Sequence, residues 1–522
     1  MIFLYFFCLF WLLRQIKSFL FWIFLWQLKE YHVGRFVDHF RTEKGKRMFK
    51  NFLFLSKIFL LPFLFFFPSL LLFLFFIYFL ESSKFLFDIF RKKILLPVFT
   101  KKTIFLSLFS FFFTLSFLFC TFPNLIWLLI FDLLSSAIFS GIVLVFQPVS
   151  TVWRWQKIKK AIKKREKFKD LIVIGITGSF GKTSTKEFLF TILKEKFKDK
   201  VLATKAHQNS EIAISNLILN ELKGHHKILI CEMGAYNKGG IKLLCKMAKP
   251  KIGIITGVNE QHLALFGSME NLISAEGGKE LISNLPKDGL VIFNGENEIL
   301  TKIYKKTKIK KKIVGIEKED FDLRAQNIKL EKERIIFDVI SKDGDFANFE
   351  LNLIGAQNIQ NVLLAACCAR EFSMNLAEIS KSCQKITQEQ SGVKLIKTKK
   401  GFNVIEATYS ANPDSVLSHL EYLKVWKGKR AIVMPCLIEL GSASKRIHQE
   451  IGKKIFEICD LAIITTKDHF KQIKKGAKEK AIFCQSPFKI FSFLKNFHSK
   501  EDIILLEGRI SPAILNSLQK LL

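Results

Sequence analysis

Cysteine is present, but never in an arrangement that gives it a structural role. The ten cysteines are scattered, Cys367 and Cys368 form the single close pair, and no C-x-x-C or Cys/His ligand spacing occurs. That excludes a zinc ribbon or a disulfide framework and reads as reduced, cytosolic thiols. Acidic residues are short as well, 46 against 80 Lys and Arg, for a formal charge of +34. The excess invites a nucleic-acid partner, yet the lysines are dispersed and no RNA- or DNA-binding motif accompanies them, so nucleic acid is set aside. Lys, Ile and Phe are favoured together by AT-rich coding, which accounts for much of the charge. The basic stretch Arg154 to Lys169 is better matched to an anionic membrane surface. Also missing are a solenoid-type repeat and a cleavable signal peptide: no basic n-region and no small-residue cleavage site precede the polar stretch Gln27 to Lys50.

What the chain has in abundance is Phe, 56 residues, and the first 150 residues hold apolar runs that no soluble core of that size needs. Residues 2 to 26 are apolar apart from Arg14 and Lys17, and read as a weak span, an interfacial helix or a hairpin of two short pieces. Phe52 to Leu80, broken by Pro62 and Pro68, suits one kinked span and is too short for two at ~20 residues each. Ile104 to Phe119 and Leu125 to Phe146, joined around Pro123, read as a helical hairpin, which brings the expected spans to four. Arg91 to Lys102 and Arg154 to Lys169 fall on the cytoplasmic side by their charge. Lys29 to Lys50 is basic too, so the three stretches share a side only if Phe52 to Leu80 re-enters; otherwise the charge rule is violated there.

From about Phe168 the texture changes to apolar strands alternating with amphipathic helices, the pattern of a parallel α/β sheet with ligands at the strand C-termini. Strands are read at Leu171 to Thr177, Lys227 to Met233, Lys251 to Val258 and Leu290 to Asn294, and helices near Lys186 to Lys196, Ile241 to Met247 and Met269 to Leu285. Arg334 to Ile340 and Phe349 to Ile354 read as added antiparallel strands. A second α/β unit begins near Gly392, with strands Asn403 to Ala407, Arg430 to Met434, Leu461 to Thr465 and Asp502 to Leu506 and helices Ser415 to Trp426 and Ser444 to Ile458. It has no Gly-rich phosphate loop, so it is expected to supply groups to a cleft.

The chain is organised around LIVIGITGSFGKTSTKE, residues 171 to 187. A strand feeds a glycine turn that opens a helix at Lys182, leaving backbone N–H groups converging where the helix dipole also favours an anion. Lys182 is placed to reach the β/γ-phosphates and the Thr183 hydroxyl to hold Mg2+. The spacing departs from G-x-x-x-x-G-K-[ST]: Gly175 lies one residue too far upstream, and the tighter Thr177-Gly178-x-x-Gly181-Lys182-Thr183 is the signal. Downstream, Glu232 closes a strand in CEMGAYNKGG and His262 follows the next in GVNEQHLALFGS. On one sheet edge, that carboxylate and imidazole can converge on Mg2+ with Thr183.

TGSFGKTSTKE, CEMGA, NEQHLALFGSMEN, FNGEN, GAQNIQN, YSANPDS and IELG followed by His448 stand in the order found in Mur ligases. Residues 168 to 522 resemble that family, most closely its branch that adds D-alanyl-D-alanine to a peptidoglycan precursor. The resemblance implies a P-loop parallel-sheet central domain (168–388) and a Rossmann-like C-terminal domain (389–522), behind an all-α transmembrane region (1–150) and a basic juxtamembrane linker (151–167). It implies an ATP-dependent carboxylate–amine ligase working through an acyl phosphate, with ATP and Mg2+ as cofactors and therefore a cytoplasmic catalytic part on a multi-pass membrane protein. By similarity, Thr177, Gly178, Gly181, Lys182, Thr183 and Ser184 hold the ATP phosphates; Thr183, Glu232 and His262 serve magnesium; Asn294 and Asn358 lie near the base. Asn209, Tyr409, Asn412, Pro413 and Ser415 fall on the substrate side. Most members carry a carbamylated Lys downstream of the motif His; its place here is Glu276, in SAEGGKELI, so either Glu276 supplies a permanent carboxylate or Lys279 takes the modification.

Departures cluster on the acceptor side: Gln357 in place of a family His, Ser410 of an Asn, Gly392-Val393 of G-R, Glu406-Ala407 of an acidic pair and Cys436 of an Asp. Membrane spans also stand where the family has a soluble domain gripping the uridine nucleotide. The acid is then lipid-linked, or held by another cell-wall synthesis protein, or is not a peptidoglycan precursor. A membrane scaffold that binds nucleotide without ligating remains the alternative of a different class.

Overall fold

The computed structural model describes residues 1–521 apart from 41, 50, 206, 207, 317 and 410, so Lys50 and Ser410, both named above, lie outside the described residues. The chain divides into two units, Met1–Gln156 and Lys157–Leu522.

The first unit is helical. Its helices are α1 (Ile2–Leu28), α2 (Val33–His39), α3 (Glu43–Phe49), α4 (Phe52–Leu64), α5 (Leu71–Phe90), α6 (Lys101–Thr121) and α7 (Leu125–Val145), followed by α8 (Gln147–Arg165), which continues past Gln156. Four helical segments, Ile2–Leu28, Pro68–Phe90, Lys101–Thr121 and Leu125–Arg165, are long and apolar enough to cross a membrane by length and composition. One polar seam joins α1 to α7: Trp11 Nε1 donates to Leu128 O (2.7 Å), Gln15 Nε2 to Asp132 Oδ1 (2.8 Å) and Ser18 Oγ to Ser135 Oγ (3.1 Å). The steps of four and three residues are equal on both helices, so the two run parallel with the same face inward. Pairing of Phe3 with Phe75, Phe7 with Tyr78 and Arg14 with Glu81 sets α5 parallel to α1 as well.

The run Phe52 to Leu80 is not one kinked span. It breaks between Leu64 and Leu71, where Pro68 starts a single 3-10 turn, and α4 and α5 run in opposite directions. Proline lacks the N–H that would continue the helix, and Pro62 already weakens the last turn of α4. The start of α4 lies at the C-terminal end of α1, through ring contacts stepping from Trp26 to Phe36, Phe40, Phe49 and Phe54. At the same end, Gln27 exchanges two hydrogen bonds with the Val98 backbone, Gln147 Nε2 donates to Tyr31 O (2.8 Å) and Lys102 Nζ to Ser150 Oγ (3.2 Å). The segments after α1, before α6 and after α7 therefore share one end, and the conflict among the basic stretches disappears. At the opposite end Tyr5 stacks on Phe122, beside Cys120, the exposed cysteine among the described residues.

Four charges meet inside this bundle, one each from α1, α4, α5 and α7. Lys57 Nζ donates to Glu81 Oε2 (2.5 Å) and Asp132 Oδ2 (2.6 Å), while Arg14 lies 3.2 Å from Glu81 and 3.7 Å from Asp132. Two cations against two anions leave no net charge, which is the condition for burying them at tolerable cost.

In Lys157–Leu522 the chain builds two sheets. The larger holds β1 (Ile172–Thr177), β2 (Val201–Ala203), β3 (Ile228–Glu232), β4 (Ile252–Ile255), β5 (Leu290–Asn294), β6 (Lys310–Ile316), β7 (Leu323–Leu330), β8 (Ile335–Ser341) and β9 (Phe346–Leu351), in the order β2-β3-β1-β4-β5-β6-β7-β8-β9. Pairing is parallel as far as β7, and β7, β8 and β9 form an antiparallel meander. The central strands are apolar throughout because both faces are covered. Ile174, Ile230, Ile254 and Ile292 pack with Phe188 and Leu189 of α9 (Lys182–Phe197), whereas Val173, Leu229 and Val291 face Ile241 and Leu244. The smaller sheet holds β10 (Lys394–Lys397), β11 (Asn403–Ala407), β12 (Arg430–Met434), β13 (Leu461–Ile464), β14 (Ala481–Phe483) and β15 (Ile503–Glu507), ordered β10-β11-β15-β12-β13-β14, with β10–β11 its antiparallel pair. The helix read over Met269 to Leu285 is two, Met269–Ala275 and Lys279–Ser283, parted at Gly278, whose φ is +80° and where a Cβ would strike Ile255.

Replacing Lys57 by Met is expected to destabilise the helical unit by about 3–5 kcal/mol, since the buried Asp132 and the partly buried Glu81 lose one of their two shared cations. Adding Asp132→Asn, which leaves Arg14 paired with Glu81 and no net charge, should restore most of it; the check is the denaturation midpoint of the purified full chain in detergent.

Candidate active site

The register of the parallel strands brings the site together. β1 pairs with β3 so that Ile176 faces Glu232, and with β4 so that Thr177 faces Ile255. The loop leaving β1 turns at Gly178 (φ +147°) and Gly181 (φ +75°), and α9 starts at Lys182. Both positions require glycine: a Cβ on Gly178 would overlap Thr256 Oγ1, and one on Gly181 would sit 2.6 Å from Asn361 Oδ1. Neighbouring strands fix the loop. Ser179 N donates to Gly257 O (2.7 Å), Thr256 Oγ1 to the Phe180 carbonyl, and Asn259 N to Ser179 Oγ (3.3 Å). Lys182 folds back over the loop, donating to the carbonyls of Gly178 and Ser179.

Two buried carboxylates, each 1 % exposed, bond to the hydroxyls of this loop. Glu232 Oε1 accepts from Thr183 Oγ1 (3.1 Å) and Asn209 Nδ2 (3.0 Å), and its Oε2 is buried without a hydrogen-bond partner. Glu276 Oε2 accepts from Ser179 Oγ (2.7 Å) and its Oε1 lies 2.9 Å from His262 Nδ1. Burial alone pushes the Glu276 carboxyl up, but the His262 ring, the Lys182 ammonium and the Ser179 bond together hold it below the usual range. Lys279 opens the following short helix and is exposed, outside this cluster.

Thr183, Glu232 and His262 are therefore not gathered into one ligand set: His262 is engaged with Glu276, and among the described residues no group of three His, Cys, Asp or Glu is placed to hold a metal. The unpartnered Glu232 Oε2 beside the Thr183 hydroxyl still fits Mg2+, which takes few protein oxygens and fills its octahedron with water and phosphate.

The remaining sequence candidates divide. Asn294 donates to Thr256 O (2.7 Å) and accepts from Glu296 N (2.9 Å), tying β5 to β4, and Asn358 donates to Ile354 O (2.8 Å), so both amides have internal partners. Ser184 Oγ donates to Ser391 O (3.3 Å), at the junction of the two sheets. Asn412 and Ser415 form the capping box of the helix Pro413–Tyr422. Tyr409 is half exposed; burial raises its pKa, and it lies near enough to Glu232 for that charge to raise it further.

Sequence reasoning passed over Thr256, Asn259 and Asn361, which wrap the loop without belonging to any Gly-rich motif. It also passed over a relay at Gln357: Gln357 Nε2 donates to His419 Nε2 (3.0 Å), leaving His419 Nδ1–H to donate to the buried Glu507 Oε2 (2.7 Å), with Ser418 Oγ on Gln357 Oε1 (2.8 Å). His448 of the IELG segment is fully buried, accepts from Leu437 N (2.9 Å) and faces Ser444 O (2.6 Å); burial holds it neutral, at about 4.

Comparison with known proteins adds to this geometry. The family model described as the Mur ligase middle domain matches residues 176–369, and the one described as the Mur ligase, glutamate ligase domain matches 393–510. The UDP-N-acetylmuramoyl-tripeptide–D-alanyl-D-alanine ligase of Bacillus subtilis is 28% identical over 285 residues, covering 54% of this chain and 60% of that protein. Its counterpart in Synechocystis is 31% identical over 287 residues, covering 54% and 59%. The chain thus spans about 60% of the length of such curated relatives. MurF of Acinetobacter baumannii shares the fold with a TM-score of 0.64 at 24% identity, over 70% of this chain and 80% of that one. The MurF ligase of Thermotoga maritima, solved in complex with ADP, gives 0.61 at 26% identity, over 70% and 83%. Matched in both its middle and its C-terminal domain, the chain belongs to the Mur ligase family.

Proposed function

We propose that this protein is a membrane-anchored, ATP-dependent amide ligase of the Mur type, acting in peptidoglycan precursor synthesis on an acid that accepts D-alanyl-D-alanine or a similar amine. The observation that carries the reading is the loop with a carboxylate at each flank, one of them holding an unpartnered oxygen beside Thr183. ATP, when bound, supplies the phosphoryl group that turns a carboxylate into an acyl phosphate for the amine to attack. The loop's N–H groups and Lys182 bind and orient the phosphates where negative charge builds up. Thr183 and Glu232 are the residues to hold Mg2+. Glu276 fixes the Ser179 hydroxyl and the His262 ring, and its ionised form serves as the permanent anion in place of a lysine carbamate. Tyr409 and the Asn412–Ser415 turn come from the other sheet and stand on the side of the amine.

The helical unit is proposed to cross the membrane with its basic end in the cytoplasm, following the positive-inside rule, and with lipid as its partner. Counted with α4, which returns the chain from the basic end to the start of α5, the four longer segments make five passes, and that odd number puts the N-terminus outside and the phosphate loop with the cytoplasmic ATP. The test is phosphate release by the purified full chain given ATP, UDP-N-acetylmuramoyl-tripeptide and D-alanyl-D-alanine. Release that depends on both acid and amine is expected, and nucleotide binding without it would favour the scaffold reading.

Lys182→Ala is expected to lower turnover by about 100-fold or more, the scale for losing one donor aimed at developing charge; normal turnover in the folded variant would remove the phosphate-loop assignment. Glu276→Gln should cost at least as much, whereas Lys279→Ala and added bicarbonate should leave the rate within about twofold, surface changes away from the chemistry being nearly neutral. Because the folded value of Glu276 is depressed, its charge stabilises the fold above the ordinary Glu value of ~4.3 and that contribution fades as pH falls below it. A Glu276→Gln variant should accordingly lose less stability than the wild type on acidification, measured by its thermal midpoint.

A further inference from the structure

The junction between the two sheets carries polar contacts that phosphate binding does not require. At its centre is Asn259, in the turn after β4, 5 % exposed. Its backbone meets Ser179 Oγ twice, at N (3.3 Å) and at O (3.4 Å). Its side chain is fully employed. Oδ1 accepts from Gln261 N (3.0 Å), and Nδ2 donates to Asn412 Oδ1 (3.1 Å) and Asp414 Oδ2 (2.6 Å). Asn412 Oδ1 also caps the helix Pro413–Tyr422 by accepting from Ser415 N (3.1 Å). One amide thus links the phosphate loop to the turn that begins the first helix of the smaller sheet's domain. Around it, Arg446 pairs with Glu260, Ala264 N donates to Glu439 O (3.0 Å) across the junction, and Gly441 (φ +55°) comes so near that a Cβ would lie 3.2 Å from Ala264 N.

We propose that Asn259 is a positioning residue that latches the smaller sheet's domain onto the phosphate loop, holding Tyr409 and the turn Asn412–Ser415 on the Glu232 side. Only a side chain that both donates and accepts serves here. A carboxylate in its place would accept from Gln261 N but would face the Asp414 carboxylate with no proton to offer, and an alanine would leave Asp414 without its side-chain donor. The catalytic consequence of the latch rests on the ligase reading; the latch itself does not.

The experiment uses the full chain in detergent and reads amide hydrogen exchange at Ala264, whose bond crosses the junction, with β1 and β3 as internal controls. Asn259→Asp is expected to lose protection at Ala264 by about tenfold or more while β1 and β3 keep theirs, the scale of a hydrogen bond to a charged group. Adding Asp414→Asn re-creates the bond to residue 414 with its direction reversed, though not the one to Asn412 Oδ1, and should restore part of the protection. Unchanged exchange in Asn259→Asp, or no recovery in the double variant, overturns the latch. Should Asn259→Asp open β1 and β3 as well, Asp414→Ala removes the same bond from the other side and is judged by the same amide. A second arm compares ADP affinity, measured with ADP and Mg2+, against turnover with acid and amine. The latch requires turnover to fall about tenfold or more in Asn259→Asp while ADP affinity stays within about threefold, with recovery of turnover in the double variant. Equal loss of both assigns Asn259 to nucleotide binding and overturns the proposal. Absence of any coupled turnover in the wild type fails the ligase reading and leaves the exchange at Ala264 to decide the latch.

Discussion

Parallel pairing of β1 with β3 on one side and β4 on the other is the constraint on which the ligase unit depends. Parallel strands end on the same edge, so the groups that follow them are gathered without long loops: Glu232 at the end of β3, Thr256 and Asn259 after β4, Asn294 at the end of β5. The glycine turn after β1 then lies in a cup of groups from other strands, with Thr256 on its Phe180 carbonyl and Glu276 on its Ser179 hydroxyl. Such a loop is held in shape by its neighbours, which in the proposed ligase lowers the reorganisation left for the chemistry.

Much of this was legible in the sequence, for identifiable reasons. Strands buried on both faces announce themselves as continuous apolar runs, so β1, β3 and β5 were readable to within a residue, whereas the run Lys251 to Val258 overran the end of β4 by three residues. β2 and β14 have three residues each, too few to show a period. β6 opens on Lys310, Lys311 and Lys312, and β7 alternates polar with apolar residues beside a bulge near Gln326, so neither resembles its buried neighbours. The polar residues at strand ends were visible because a charge after an apolar run is conspicuous; their partners were not. That His262 would turn to Glu276 and leave Glu232 with Thr183 depends on the packing of the Met269–Ala275 helix, which no local spacing encodes.

The helical unit shows the same limit from another side. Arg14 looked like a blemish in an apolar run, and Lys57, Glu81 and Asp132 drew no attention singly. Their meaning appears only when the helices are in place, each charge being tolerable because the other three are present. Likewise, two prolines were readable as a kink, whereas the reversal between α4 and α5 follows from tertiary contacts of Lys57 with both α5 and α7. That reversal is what lets the basic segments lie together.

The exposed Cys120 has a practical meaning. Every other cysteine is buried in the described residues, and this one stands at the end of α6, remote from the end where Gln27, Lys102 and Gln147 meet. The native chain therefore carries its own sidedness reporter: one reachable thiol, away from the basic end. In whole cells, a maleimide that does not cross lipid would find its target only if that end faces outward, so the unmodified protein can be asked which way round it sits.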